Sequence, residues 1–549
     1  MKRLLFAASA VCCLALAHQA AAQSAIDSLD TTYLNQMIEA DADRDSCGGN
    51  GRTSLLNASV EQGLGVVSNK ALSGYLDGIM RKLLAASPHT DCSVTVYVTP
   101  HDAAQAVALA DGGVLVAIGF LRNLKNEDEV AALLAHELSH ILRDHHSTDA
   151  FAESQDGFLK GLETANASDG MLLGLVDPNL QQAADAAVSV GDAMYNISES
   201  MIAPAWTVKQ EDEADLLGTD LLVAAGYNPR AMAAVMDIIE AQEENAAAVE
   251  TQRDELYKQR VQGTLVSAFV ETDANNISSI VGALANVTSA LVSGSDKKTH
   301  RPAAERKTSV NAYIKKFHRK HRRRAYKDEA WTAQLNAGDS GTMFARYRKA
   351  ATARRVVFTG GDLNAAVRDV NASVAGAFSS HSYPRIAQSE VRLKKGDRNA
   401  AIASLEKVMK RPEAPWQVYR SYIDLQLGAG NKREAYQALL TADEKFGEPI
   451  GIAPYAIEVS RTLKDPEMVS LYMERCKASG SREHIKICEN AAGVKSGGGS
   501  SGGSGIGGFL GGIIGGSSSG SSSGSGFSLP FGGSSSGSSS DSENSDNND

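Results

Sequence analysis

The chain has 549 residues, a formal net charge of −11 and a hydrophobic content of 43%. This length and composition allow two or three domains with packed cores, and the acidic balance excludes a general affinity for nucleic acid. The first residues have the pattern of a secretory signal peptide, in which Lys2 and Arg3 precede an apolar stretch and a small-residue cleavage site ends at Ala22. We predict that residues 1–22 are removed and that the mature protein is exported.

Four cysteines follow the signal peptide, and an even number suits an oxidising compartment. Four cysteines allow three connectivities. We favour Cys47 with Cys92 and Cys476 with Cys488, because the members of each pair fall in the same predicted domain. Free buried thiols are the alternative.

A predicted helix that begins after Asn126 carries the most informative motif, HExxH. Residues four positions apart share one face of a helix, so His136 and His140 can bind one Zn²⁺. Glu137 lies beside that line, where it can take a proton from a water molecule that the metal activates. The motif indicates a metallopeptidase, and the alternative is a chance pair of histidines on a buried helix.

Two features after this motif are expected to lie outside the metal site. His145 and His146 should point to other sides of the helix and compensate its dipole. The alanine-rich inserts Phe151–Trp206 and Ala246–Ser293 should form packing helices, with lids over the cleft or contacts with a membrane surface as the alternatives.

A second predicted helix offers two carboxylates, Glu211 and Asp215, one turn apart on one face. Glu211 can complete a three-ligand zinc site, and Asp215 can orient a ligand histidine from outside the metal shell. The alternative is an acidic helix start that only compensates the dipole.

The segment Lys315 to Arg324 is strongly basic against the acidic background of the chain. In an exported protein such a segment can contact anionic lipid or acidic partners, and the structural alternative is a solvated helix that links two domains. We assign residues 311–340 to a basic helical linker.

After this linker, a Gly-Asp or related turn recurs every 34 or 35 residues, at Gly361, Gly396, Gly430 and Lys464. This is the tetratricopeptide period, and it predicts an α-solenoid of helix pairs over residues 341–492. A generic helical bundle is the alternative. Gly and Ser dominate residues 493–549, and this composition predicts a disordered tail.

The HExxH motif followed by Glu211-x-x-x-Asp215 resembles the zinc metallopeptidases of the CAAX prenyl endopeptidase and HtpX family, over roughly residues 60–310. The resemblance implies a zincin-like peptidase domain over residues 23–310, α+β but mostly α, with a small sheet. It also implies Glu211 as the third zinc ligand and Asp215 as its supporting residue.

Two further segments match this family in part. The family has a His-Pro stretch with an arginine six residues after the histidine, and His300 and Arg306 keep that spacing with one extra residue before the proline. The resemblance implies that both stabilise the oxyanion; alternatively, His300 occludes the open zinc position or is a plain surface histidine. Thr99 to Leu121 resembles the family's strand region, where an edge strand pairs with extended substrate, although Gln105-Ala106-Val107-Ala108 replaces the usual Asn-Ala-Phe-Ala.

A signal peptide, a zinc peptidase domain and helical repeats together are similar to the periplasmic β-barrel assembly-enhancing proteases of Gram-negative bacteria. The similarity implies a zinc-dependent endopeptidase and chaperone for unfolded or misassembled outer-membrane proteins. Its repeats would contact the assembly machinery, with peripheral contact to the outer membrane. The alternative is a non-catalytic tetratricopeptide-type scaffold or chaperone with an occluded or structural zinc site.

Overall fold

The computed structural model describes residues 23–40, 65–102, 105–109, 112–147, 206–241, 301–447, 452–478, 480 and 482–493. The predicted signal peptide, Cys47, His300, the Gly/Ser tail and, apart from Trp206, both predicted inserts lie outside these residues. None of the described helices combines the length and the apolarity that a membrane span requires.

The N-terminal part of the structure is a small sheet with helices packed around it. Its elements are α1 (Tyr33–Ala40), α2 (Lys70–Leu84), β1 (Thr95–Thr99), β2 (Ala106–Ala108), β3 (Gly113–Ala117), α3 (Ile118–Asn123), α4 (Glu127–Leu142), α5 (Val208–Ala224), α6 (230–241) and α7 (Ala303–Phe317). The strand order is β1-β3-β2, with β1 parallel and β2 antiparallel to β3. The central strand β3 is buried at every position, and among the described residues no strand pairs with the outer side of β2.

The helix α4 forms as its sequence predicts, and it lies in the middle of the core. The Asn126 side chain accepts a hydrogen bond of 2.9 Å from the Glu129 backbone amide, and the Glu129 carboxylate accepts one from the Asn126 side chain in return. The hydroxyls of Tyr75 and Tyr227 donate to Glu127, so the start of the helix is fixed from two other parts of the chain. This confirms the predicted cap and gives the helix a fixed axial position.

The basic segment differs from the prediction of a solvated helix. The helix α7 ends at Phe317, and the next helix begins only at Glu329. Between them, the buried His318 bonds to Asp220 through its Nε2, and Arg324 donates to two main-chain carbonyls at the end of α5. The prediction of a continuous helix was wrong, because at these residues contacts with the N-terminal part of the structure replace the backbone hydrogen bonds of a helix.

The C-terminal part is entirely helical where the structure describes it. Its helices are α8 (Glu329–Asn336), α9 (Gly338–Thr359), α10 (Leu363–Ser373), α11 (Ser382–Lys394), α12 (Arg398–Met409), α13 (Trp416–Gly428), α14 (Lys432–Lys445), α15 (Ala453–Leu463), α16 (Pro466–Ala478) and α17 (Arg482–Ala492). The fold class is therefore confirmed: a mostly helical chain with one small sheet and a helical C-terminal region.

The predicted turns lie between successive packed helices from α9 to α16. Gly361, Gly396, Gly430 and Lys464 all have positive φ, a conformation that glycine adopts readily and lysine rarely does. Asp397 then caps α12 by accepting the Ala400 amide. The helix pairs match the repeat spacing, and their assignment to the tetratricopeptide class stays a prediction.

Two large hydrophobic cores and one small cluster lie within the described residues, and the first core extends past the predicted linker. It includes residues of α4 and α5 together with Trp331, Phe344 and Tyr347 from α8 and α9. The second core runs from α11 to α17 and contains the Cys476–Cys488 disulfide, which confirms that pair. Cys92 is also disulfide-bonded. The predicted domain limits stay predictions, but the first helices of the repeat region share a core with the N-terminal part.

Candidate metal centre

The three predicted metal ligands meet where α4 crosses α5. The Nε2 atoms of His136 and His140 lie 3.2 Å apart and face each other. The Glu211 carboxylate lies 3.7 Å from His136 Nε2 and 3.9 Å from His140 Nε2. One ligand atom from each residue falls within 4.8 Å of the other two, and the described residues contain no second cluster of this kind. The three residues thus form one compact N,N,O donor set.

A glycine on α5 allows the two helices to approach this closely. A Cβ atom added to Gly218 would lie 3.2 Å from the backbone nitrogen of His136 and 2.8 Å from the Met232 methyl group. A side chain at this position would therefore require the Met232 methyl group to move and the α4 backbone to shift by a few tenths of an ångström. Gly218 sets the distance between the imidazoles and the carboxylate.

An ion pair on α5 and α7 orients His136. His136 Nδ1 lies 2.9 Å from Asp215 Oδ1, and Asp215 accepts two hydrogen bonds, of 2.8 and 2.7 Å, from Arg306. Burial raises the pKa of Asp215, but Arg306 and His136 outweigh it and hold that pKa well below its usual range. The ionised Asp215 therefore accepts the proton on Nδ1, and His136 Nε2 faces the other ligands.

A second relay orients His140. His140 Nδ1 lies 2.9 Å from His145 Nδ1, and His145 Nε2 lies 3.3 Å from Glu213 Oε2. Because a carboxylate only accepts, this network assigns the His145 proton to Nε2, so His145 Nδ1 accepts from His140 Nδ1–H. Burial and the neighbouring His136 also lower the pKa of His140, which keeps it neutral. His140 therefore presents an Nε2 lone pair.

The donor set fits a bound zinc ion. Two imidazole nitrogens and one carboxylate converge, and three protein ligands leave a position for water, which is the arrangement of catalytic zinc sites. Burial lowers the pKa of His136, but Asp215 outweighs it and raises that pKa, so a proton and a metal ion compete for Nε2. The identity of the metal is a proposal that this chemistry supports.

His145 and His146 differ from their prediction. The helix α4 ends at Leu142, Asp144 adopts a φ of 50°, and the chain turns back through the short 3-10 helix His145–Ser147. His145 is therefore buried against His140, and His146 Nε2 lies 3.0 Å from the Ala108 carbonyl oxygen. The prediction failed because it continued the helix through these residues. An aspartate, which tolerates a left-handed backbone, was the weak signal in the sequence.

The relay through His145 gives a testable result. We expect His145→Phe, which keeps a ring but removes the acceptor for His140, to weaken zinc binding by about 10- to 100-fold. Competition with a fluorescent chelator measures this affinity. His146→Phe is the matched control, because it removes a histidine that contacts the Ala108 carbonyl, and it should change zinc affinity little. Equal zinc affinities of His145→Phe and the parent protein would refute the relay.

Glu137 lies beside the three ligands and next to the sheet edge. It is buried, and burial raises the pKa of its carboxyl to about 7, opposed by His136 and by the Ala108 amide, which donates to it. Residues on either side of Ala108 bond to β3, through Leu109 to Gly113 and Gln105 to Ala117, so Ala108 turns its own peptide groups outward. The Ala108 amide and carbonyl are thus engaged by Glu137 and His146, and the Glu137 carboxylate lies beside the outer edge of β2.

The structure places two more side chains at the site. Arg306 is buried, and besides Asp215, which supports His136, it contacts Oε2 of the ligand residue Glu211 at 2.9 Å. Its predicted oxyanion role and that of His300 stay predictions. Trp206, which the sequence analysis did not single out, stacks on His140 with ring centroids 4.3 Å apart.

A helix with the HExxH motif, crossed by a helix with a third ligand beneath a small sheet, defines a zincin-type metallopeptidase site. The sequence model of peptidase family M48 matches residues 70–314, a range that contains every described group of this site. Over these residues the chain is similar to peptidase family M48, a metallopeptidase family.

Curated relatives carry a more specific name. A region of 167 residues is 27% identical to the β-barrel assembly-enhancing protease of Yersinia pestis, and this match covers 30% of the present chain and 32% of the relative. The protein of the same name from Escherichia coli (strain K12) is 25% identical over 167 residues, with the same coverage. A putative β-barrel assembly-enhancing protease of Vibrio cholerae is 25% identical over 169 residues. The chain thus matches about a third of the length of these relatives.

Proposed function

We propose that this protein is a zinc-dependent endopeptidase that cleaves unfolded or misassembled envelope proteins. The observation that carries the proposal is the convergence of His136 Nε2, His140 Nε2 and the Glu211 carboxylate beside the buried Glu137. Two relays fix the orientation of these imidazoles, which is the support that a metal site in a working peptidase requires.

Each residue of the site would have its own role in peptide hydrolysis. His136, His140 and Glu211 would hold Zn²⁺, which when bound would supply the Lewis acidity that polarises the substrate carbonyl. Glu137 would accept a proton from the attacking water and deliver it to the amine that leaves. A pKa of about 7 suits a carboxyl group that must both take up and release a proton near neutral pH.

The outer edge of β2, along which no described strand lies, supports the choice of substrate. An extended peptide can add to β2 only if its own backbone groups are unpaired, so unfolded segments fit this surface and folded proteins do not. The relatives are named for the assembly of β-barrels. We therefore propose outer-membrane proteins as substrates, a periplasmic location, an added chaperone role, and contacts between the helical repeats and the assembly machinery.

Removal of the metal tests the proposed activity. We expect the purified protein to cleave casein, to lose that activity in a chelator and to regain it with one equivalent of Zn²⁺ but not with Mg²⁺. The unfolded form of an outer-membrane β-barrel protein should be cleaved, whereas its folded form should resist. A protein that binds one zinc ion and cleaves neither substrate would favour the alternative of a non-catalytic scaffold.

A further inference from the structure

A cluster of exposed cations lies between α7 and α8. We call residues 315–323 the basic turn. The chain has no acidic residue between Glu305 and Asp328, although its net charge is −11. Five cationic side chains of the basic turn are exposed and have no recorded ion pair within the part of the chain that the structure describes: Lys315, Arg319, Lys320, Arg322 and Arg323.

Neighbouring residues hold the basic turn in place. His318 is buried within it and bonds to the buried Asp220, which also accepts the hydroxyl of Tyr313 at 2.9 Å. Just after it, Arg324 donates to the carbonyls of Val223 and Tyr227. These contacts therefore hold in place the backbone that carries the exposed cations. No described acidic side chain neutralises these cations, so they repel one another. Binding of an external polyanion would relieve this repulsion.

We propose that the basic turn is a docking surface for anionic phospholipid headgroups at a membrane surface. Cations near such a surface each contribute, whereas a chain with this net charge would otherwise be repelled by it. A membrane is favoured over an acidic peptide because the basic turn offers charge without apolar contacts. Its one large apolar side chain, Phe317, packs against Tyr313, with ring centroids 4.9 Å apart.

The helix α7 relates this surface to the metal centre. Arg306 lies near the start of α7 at the metal centre, and the basic turn lies at its other end. At the helical rise per residue, the helix holds the two apart by about 15 Å. The docked protein would therefore keep its metal centre away from the plane of the headgroups, within reach of polypeptides at the membrane surface.

Vesicle binding tests the proposal. The probe is the purified full-length protein, sedimented with vesicles of phosphatidylglycerol and phosphatidylcholine in a 1:3 ratio. The test variant carries Arg319→Gln, Lys320→Gln, Arg322→Gln and Arg323→Gln, which spares the anchoring His318 and Arg324. A control with the same charge change carries Lys394→Gln, Lys407→Gln, Lys410→Gln and Lys432→Gln, at exposed cations of the C-terminal helices that also have no recorded ion pair.

The outcomes separate the alternatives. We expect the parent and the control to bind at low salt and to release at high salt. The test variant should bind up to about 600-fold more weakly, because it lacks four cations and each cation near an anionic surface is worth about fivefold in affinity. Binding of the test variant equal to that of the control would overturn the proposal, as would no binding by the parent. Parent binding to soluble polyglutamate but not to vesicles would replace the membrane with an acidic protein partner. Casein cleavage should be unchanged in all three proteins.

Discussion

Glu137→Gln is expected to lower the rate of casein cleavage by about 10²- to 10⁴-fold, the usual contribution of a positioned general acid–base group. The amide keeps the shape of the side chain but can neither accept the proton from water nor return it to the leaving amine. Zinc content should remain that of the parent protein, because Glu137 is not one of the three converging ligands. The measurement is the cleavage rate per bound zinc ion.

The structure also predicts that this variant folds. Burial disfavours the charged form of Glu137 and raises its pKa, so a neutral amide removes an unfavourable burial and should not lower the melting temperature. The matched control is Glu329→Gln, an exposed carboxylate at the start of α8. Full activity of Glu137→Gln would exclude it as the base, and inactivity of the zinc-loaded parent would point to the scaffold alternative.

Arg306→Met is expected to destabilise the protein by about 3–5 kcal/mol, the usual cost of removing one partner of a buried ion pair. Arg306 is the cation between Asp215 and Glu211, and both carboxylates are buried. Without it, two like charges remain close together in a desolvated site, and His136 loses its support. Zinc affinity should fall along with stability, measured by urea denaturation and by chelator competition.

This prediction distinguishes two roles for Arg306. If Arg306 served only the oxyanion, Arg306→Met would lower the turnover rate and leave the urea midpoint and zinc affinity unchanged. If Arg306 positions the carboxylates, Arg306→Met should change the turnover rate, the urea midpoint and the zinc affinity. Pairing Arg306→Met with Asp215→Asn should recover part of the lost stability, because the second change removes one of the stranded charges. A double variant less stable than Arg306→Met would contradict the positioning role.

The features that the sequence predicted well depend on short-range chemistry. The cap at Asn126, the HExxH face, the turn at Gly396 and the disulfide between Cys476 and Cys488 each involve residues close together in the chain. Glu211 comes from a distant segment, and its role was predicted because Glu211-x-x-x-Asp215 after the HExxH motif resembles a family pattern.

The features that the sequence did not predict depend on a single dihedral angle or on long-range packing. The reversal at Asp144 turns His145 from a helix-end residue into a support for His140. The basic segment leaves the helical path because His318 finds Asp220, which lies far away in the sequence. The shared core of α4, α8 and α9 likewise joins segments that composition divides at the linker.

The contact at Gly218 has a consequence for the choice of ion. The missing side chain lets two helix backbones touch, and the ligand triangle takes its size from that contact. Cations differ in radius and in the number of ligands that they require, and a small tetrahedral ion tolerates a tighter triangle than a large, many-coordinate one. We therefore expect Gly218→Ala, at a position outside the three ligands, to press against the His136 backbone and so to change which ion the site prefers.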